Sequence, residues 1–221
     1  MKVIGMKKIL LGAALMIGTV LQLPAQTDAR AKAILAEVSK KYKAYDVIRT
    51  DFTFTIDNPQ ANIKESQAGT LYARSKTNQY KVVLKDQELI SDGKSQWTYL
   101  KSDKEVQVNE VSTSNDAFNP AKLFTMYEKG FKYVYNGETK VDGRTCYSID
   151  LTPLDSKTSF FKARLQIDKA TRMIRKAVLF DKGGNRYTYA IKGFTPNVKV
   201  PASTFTFDPK KHPGVEVVDL R

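Results

Sequence analysis

Nucleophilic catalysis needs a Ser, Cys or Lys within hydrogen-bond reach of a base, and this sequence shows no Ser/His pair. His212 is the only histidine. It stands before a proline in the polar segment "PKKHPGVEVVDLR" and reads as a surface or packing residue. Cys146 is the only cysteine, so no internal disulfide can form and a thiolate metal site has no support. Within "RTCYSIDL" it reads as a small core residue of a strand. Asp150, Asp155 and Asp168 lie near strand ends; a carboxylate pair for acid–base work stays open, but nothing in their spacing favours one. No HExxH, GxSxG or Walker pattern occurs. The glycines of "DKGGN" open no helix, so they mark a hairpin turn. The expectation is a chain that is not an enzyme and has no metal site and no cofactor.

What the sequence does offer is aromatic surface. "LISDGKSQWTYL" reads as strand, turn, strand, with Asp92-Gly93 as the two central residues of a type I′ turn. Trp97, the only tryptophan, and Tyr99 are two apart and share one face of the sheet. Phe52, Phe54, Ile56, Leu71, Tyr80, Val82, Leu84, Phe131 and Tyr133 fall at period-two positions as well. Together they form a single apolar face, which by composition alone is either a filled core or the wall of a ligand cavity.

The elements that position this face are mostly strands. "RTDFTFTI", "AGTLYAR", "QYKVVL", "QELIS", "SQWTYL" and "EVQVNEV" are followed by "FKYVY", a turn at Asn136-Gly137, "RTCYSIDL", "KARLQID", "RMIRKAVLF" and "RYTYAIKGF". That makes about eleven strands with short polar turns, hence antiparallel neighbours. Two helices interrupt the pattern. From a cap at Thr27 or Asp28, the residues Ala31, Ile34, Leu35, Val38, Tyr42 and Tyr45 form one apolar stripe. "NPAKLFTMYEKG", Asn119 to Gly130, has Pro at its start, Gly past its end, and Leu123, Phe124, Met126 and Tyr127 between. The fold class predicted is α+β, mainly β: one domain over residues 26–221, a large antiparallel sheet that must twist and curl, forming an incomplete barrel with helices across its mouth.

Residues 1–25 read differently. Lys7 and Lys8 precede the apolar run "ILLGAALMIGTVLQL" and then Pro24-Ala25, the layout of a signal peptide cleaved after Ala25. The competing reading is a membrane anchor, for which fifteen residues fall short of the roughly 20 that a span needs. Export to the periplasm as a soluble protein follows. The formal charge is +13, with bases spread over many segments. An exported chain is not expected to meet nucleic acid; a solvated basic surface or attraction to anionic headgroups remains.

Three blocks resemble the outer-membrane lipoprotein carrier family, LolA. They are "GTLYARSKTNQYKV", "LISDGKSQWTYLKSDKEVQV" with its Asp-Gly-Lys-x-x-Trp-x-Tyr core, and the terminal "FTFDPKKHPGVEVVDLR". The resemblance implies a half-barrel with a helical lid that holds the acyl chains of lipid-modified lipoproteins. It also implies an ATP-driven release complex of the inner membrane as donor and an outer-membrane acceptor. On this reading the cavity residues are Phe52, Phe54, Leu71, Tyr80, Val82, Leu84, Trp97, Tyr99, Leu123, Phe124, Tyr127 and Phe131, and Ile34, Leu35 and Val38 belong to the lid. Many members carry Arg-Pro after the Gly-x-Leu-aromatic stretch, and that Arg latches the lid. Here Ser75-Lys76 occupy those places and Arg74 lies one residue early, on the other face unless a bulge intervenes, so it is carried as a latch candidate. A monomer is expected. Two other readings stay open: a sensor or regulatory domain for lipids or lipoproteins, and a carrier for another lipid in a specialised export pathway.

Overall fold

The computed structural model describes residues 23–111, 124 and 126–221. It opens with α1 (Leu23–Lys43), which begins upstream of the expected cap at Thr27 or Asp28. Ala31, Ile34, Leu35, Val38 and Tyr42 are its buried stripe. Lys40, Lys41 and Lys43 in its last turn complement the negative end of the helix dipole.

The strands are β1 (Ile48–Asn58), β2 (Ile63–Arg74), β3 (Gln79–Val83), β4 (Gln87–Ser91), β5 (Ser95–Leu100), β6 (Glu105–Glu110), β7 (Phe131–Val141), β8 (Arg144–Pro153), β9 (Phe160–Asp168), β10 (Ile174–Asp181), β11 (Arg186–Thr195) and β12 (Glu216–Asp219). They form one curved sheet in the order β12-β6-β5-β4-β3-β2-β1-β11-β10-β9-β8-β7. The outermost strands β7 and β12 are not neighbours, so the sheet is open. Every described pairing is antiparallel except β12 on β6. That parallel strand was missed in the sequence because its four residues sit in a polar tail; what holds them is an available edge, not a hydrophobic period.

Two turns differ from expectation. Asn136-Gly137 lies inside β7, at a register shift between Tyr135 and Glu138. The chain turns instead at Asp142-Gly143, both with positive φ (47° and 76°), the pair a type I′ turn requires. Two Asx-Gly signals lie six residues apart, and pairing with β8 selects the second. In the β4–β5 hairpin the central residues are Gly93 and Lys94. Gly93 has φ 96°, and Asp92 Oδ1 accepts from the N–H groups of Lys94 and Ser95, both at 2.8 Å. Asp92 therefore braces the turn from outside its centre.

The second expected helix, Asn119–Gly130, falls largely outside the described residues, Leu123 included. Within them, Met126–Glu128 forms a single 3-10 turn. α1 lies across the concave face over β7 to β10. Arg30 sits 4.2 Å from the Tyr135 ring centre, Glu37 pairs with Arg172 at 2.5 Å, and Tyr42 Oη accepts from Ile174 N–H at 3.3 Å. The convex face of β4 to β6 has its own cover. Phe207 and Val215 from the C-terminal segment pack with Ile90, Trp97, Tyr99 and Val106.

Candidate functional site

On the concave face, beside the strip covered by α1, lies an apolar pocket of about 200 Å³. Thr50, Phe52 and Phe54 of β1 and Leu71 of β2 form its floor with Val82 of β3; Leu84 and Gln87 close it at the β3–β4 turn, and Leu89, Tyr189 and Ile191 complete the wall. None of these side chains is charged. Strand alternation brings them together: Phe52, pairing with Gly69, shares a face with Leu71, and Leu71 is opposite Val82, which is opposite Leu89. Across β11 the register shift at Asp51/Phe52 sets Phe52 opposite Ile191.

Gly69 makes the floor possible. A Cβ there would lie 2.6 Å from Phe52 Cζ and 2.7 Å from Leu84 Cδ2, so both side chains rest on the bare backbone. The rings of Phe54 and Tyr189 meet at 4.9 Å. Burial raises the Tyr189 phenol well above its ordinary value, so the wall stays neutral. The Thr50 hydroxyl is fully buried and its oxygen has no hydrogen-bond partner among the described residues.

The comparisons with known proteins bear on this geometry. The family model described as "Outer membrane lipoprotein carrier protein LolA" matches residues 43–208. The chain belongs to the LolA family. It is 26% identical over 191 residues to the outer-membrane lipoprotein carrier protein of Pasteurella multocida, covering 84% of this chain and 87% of that protein. An uncharacterised protein of Methanocaldococcus jannaschii is 26% identical over 185 residues, 81% of this chain, and the chain spans about half of that relative, 51%. Among solved structures, an uncharacterised conserved protein from Thermus thermophilus matches with a TM-score of 0.54 at 15% identity, over 86% of this chain and 99% of that one; this likeness concerns the fold.

Within the LolA framework, five residues expected on the cavity wall line this pocket: Phe52, Phe54, Leu71, Val82 and Leu84. Tyr80 shares their cluster but is buried beyond the pocket; its hydroxyl donates to Gln96 Oε1 at 2.5 Å, and burial pushes its pKa up to about 12. Phe124, Tyr127 and Phe131 belong to the other half of the concave face, near α1. Phe124 stacks on Tyr42 at 4.3 Å, Tyr127 is buried with its phenol raised chiefly by burial, and Phe131 stacks on Phe160 at 6.2 Å. Ile34, Leu35 and Val38 are the buried stripe of α1, in the same cluster.

Trp97 and Tyr99 do not line the pocket. Ile90 pairs with Trp97 and Leu89 with Thr98, so when Leu89 faces the pocket, Trp97 and Tyr99 face the convex side. There Tyr99 meets Phe207 at 5.3 Å and His212 at 4.7 Å. Their shared parity was legible, but the face was not, because either face of β5 offers apolar neighbours. Arg74 also stands on the convex side. Its guanidinium lies 5.2 Å from the Phe205 ring centre, donates to Gln79 Oε1 at 3.0 Å and pairs with Asp46, just past α1, at 3.4 Å. No bulge turns it toward the concave face, so it ties the β2–β3 turn to the helix exit and does not reach across the lid side. Thr50, Gln87, Leu89, Tyr189 and Ile191 line the pocket without having been singled out; parity from Phe52 would have reached Thr50, but β11 joins β1 only through tertiary pairing.

Proposed function

We propose that this protein is an exported carrier that shelters acyl chains of lipid-modified proteins in the pocket on its concave face. The observation that carries the reading is an uncharged pocket, walled by Phe, Leu, Val, Ile and Tyr, on the sheet of a LolA-family chain. Residues 1–25 serve as the signal peptide, and 26–221 act as one periplasmic unit. The donor is an ATP-driven release complex of the inner membrane, and an acceptor at the outer membrane takes the cargo.

The physical chemistry suits a carrier. Each buried methylene is worth about 0.8 kcal/mol, so a chain of about sixteen carbons loses about 12 kcal/mol on entering water. It does not cross an aqueous compartment free. The bilayer offers the same gain, so loading needs an external push and unloading a pocket that opens readily. At about 200 Å³ the pocket is smaller than the roughly 300–1,000 Å³ of common ligand sites. A full acyl chain therefore enters only as α1 and the Met126–Glu128 turn shift away from the sheet.

The test is a release assay. The protein is added to spheroplasts of its own source, and the soluble fraction is examined for lipid-modified proteins bound to it. The expected result is release that depends on the protein and fails when half-buried Leu89 is changed to Glu, while Leu89→Met retains it. No release with an active complex present refutes the reading.

A further inference from the structure

The strand ends on one side of the sheet carry apolar side chains that the core does not use. β1 ends, β2 begins, β8 ends, β9 begins, β10 ends and β11 begins on one side of the sheet. Ile63 opens β2 and is exposed, Leu154 follows β8 at 61% exposure, and Phe161 in β9 is 52% exposed. Phe161 is turned outward by the register shift that sets Asp181 opposite Phe160 and Phe180 opposite Lys162. Its buried neighbour Phe160 keeps the inward place, and Phe161 meets Phe180 at 6.3 Å.

These turns are fastened to one another. Asn58 Nδ2 donates to Gly183 O and Asn185 Oδ1, joining the β1–β2 and β10–β11 turns. Lys182 Nζ donates to Ser156 O at 2.6 Å, joining the latter turn to the β8–β9 loop. The Leu154 N–H donates to Gly130 O at 2.8 Å, which brings in the start of β7. The result is a braced ridge with apolar tips.

Lysines accompany the tips: Lys64 beside Ile63, Lys157 in the Leu154 loop, Lys162 beside Phe161, and Lys129, Lys132 and Lys182 on the adjoining segments. These six lysines outnumber the four nearby carboxylates. Asp57 faces Arg186 at 3.8 Å, Asp155 accepts from Lys157 N–H, and Asp181 accepts from Asn185 and Tyr187; Glu65 is exposed.

We propose that this ridge docks on the surface of a bilayer containing anionic lipid. Leu154, Phe161 and Ile63 enter the headgroup boundary, and the lysines meet the lipid phosphates, the combination of apolar insertion and basic attraction that interfacial segments use. Leu84 and Gln87, at the end of the pocket, flank a turn on the same side of the sheet. That turn lies level with Thr70, seven residues short of Ile63 along β2, so the ridge projects beyond it. The inference goes beyond the carrier reading and stands or falls separately from it.

The experiment is vesicle flotation with the soluble protein recovered from cells expressing the full chain. Vesicles are phosphatidylcholine alone, or phosphatidylcholine with about a quarter phosphatidylglycerol. The expected result is co-flotation with the anionic vesicles that falls with added salt. Leu154→Glu combined with Phe161→Glu lowers the bound fraction by about tenfold, and Lys157→Glu weakens binding to anionic vesicles alone. Both altered apolar residues are exposed, so circular dichroism and the affinity for a fluorescent fatty acid stay unchanged. Absence of co-flotation of the unaltered protein, or equal flotation of the Leu154/Phe161 variant, overturns the proposal. Loss of fatty-acid binding with flotation intact would count against the carrier reading only.

Discussion

Gly69→Ala tests whether the pocket floor holds the cargo. The new Cβ would lie 2.6 Å from Phe52 Cζ and 2.7 Å from Leu84 Cδ2, against about 3.5–4.0 Å for comfortable carbon contacts. Both tips must move by about 1 Å, and the sheet behind them leaves only the pocket as the direction. The lost room equals about one to two methylenes of ligand. At about 0.8 kcal/mol each, the acyl affinity falls about four- to fifteenfold. Stability changes less: Ala gains about 0.5–1 kcal/mol over Gly in a strand, against about 1–3 kcal/mol for overpacking. The net loss is about 0–2.5 kcal/mol, a drop in Tm of no more than about 10 °C. The assay is titration with a fluorescent fatty acid, beside thermal melts on the same samples. An unchanged Kd in a folded variant would mean that the chain binds elsewhere, and the reasoning from Gly69 to the pocket would fail.

Further outcomes follow from other parts of the structure. Thr50→Val removes a buried hydroxyl that has no partner among the described residues at nearly constant shape; unfolding by denaturant should show a gain of about 1 kcal/mol. Phe205→Ala, at a fully buried position in the convex cover, should lower stability by about 3–5 kcal/mol while the folded fraction binds fatty acid as before. Trp97 lies outside the pocket, so its fluorescence emission should not shift on ligand binding, whereas Phe207→Ala should shift it. Burial works to raise the Asp168 pKa, but the N–H groups of Thr171 and Ala170 and the Arg175 guanidinium hold it below the usual carboxylate value. A depressed folded pKa stabilises above the unfolded value of about 3.9 and is lost as pH falls through the folded one. Melts between neutral pH and about pH 3 should therefore steepen below about pH 4. Asp168→Asn should flatten that loss and lower neutral-pH stability by about 1.5–3 kcal/mol.

The sequence by itself determined most of the strands and the first helix. Alternation in "RTDFTFTI", "QYKVV" and "ARLQID" specifies half-buried strands, because a pleat sends successive side chains to opposite faces. The stripe Ala31, Ile34, Leu35, Val38 specifies a helix laid on that sheet. Three motif blocks were sufficient to point to the LolA family. Parity alone grouped Phe52, Phe54, Leu71, Val82 and Leu84. Tertiary structure decided what parity could not. Parity is relative within a strand, so it paired Trp97 with Tyr99 correctly, but assigning the pair to the cavity face was wrong; the β4–β5 register and the cover by Phe207 set them on the other face. Asn136-Gly137 and Asp142-Gly143 are equivalent turn signals locally, and only pairing with β8 chose between them. Tyr189 and Ile191 reach the pocket because β11 joins β1 across more than a hundred residues of chain, a contact that no local pattern encodes. The polar β12 is a strand only because β6 presents unpaired backbone N–H and C=O groups beside it.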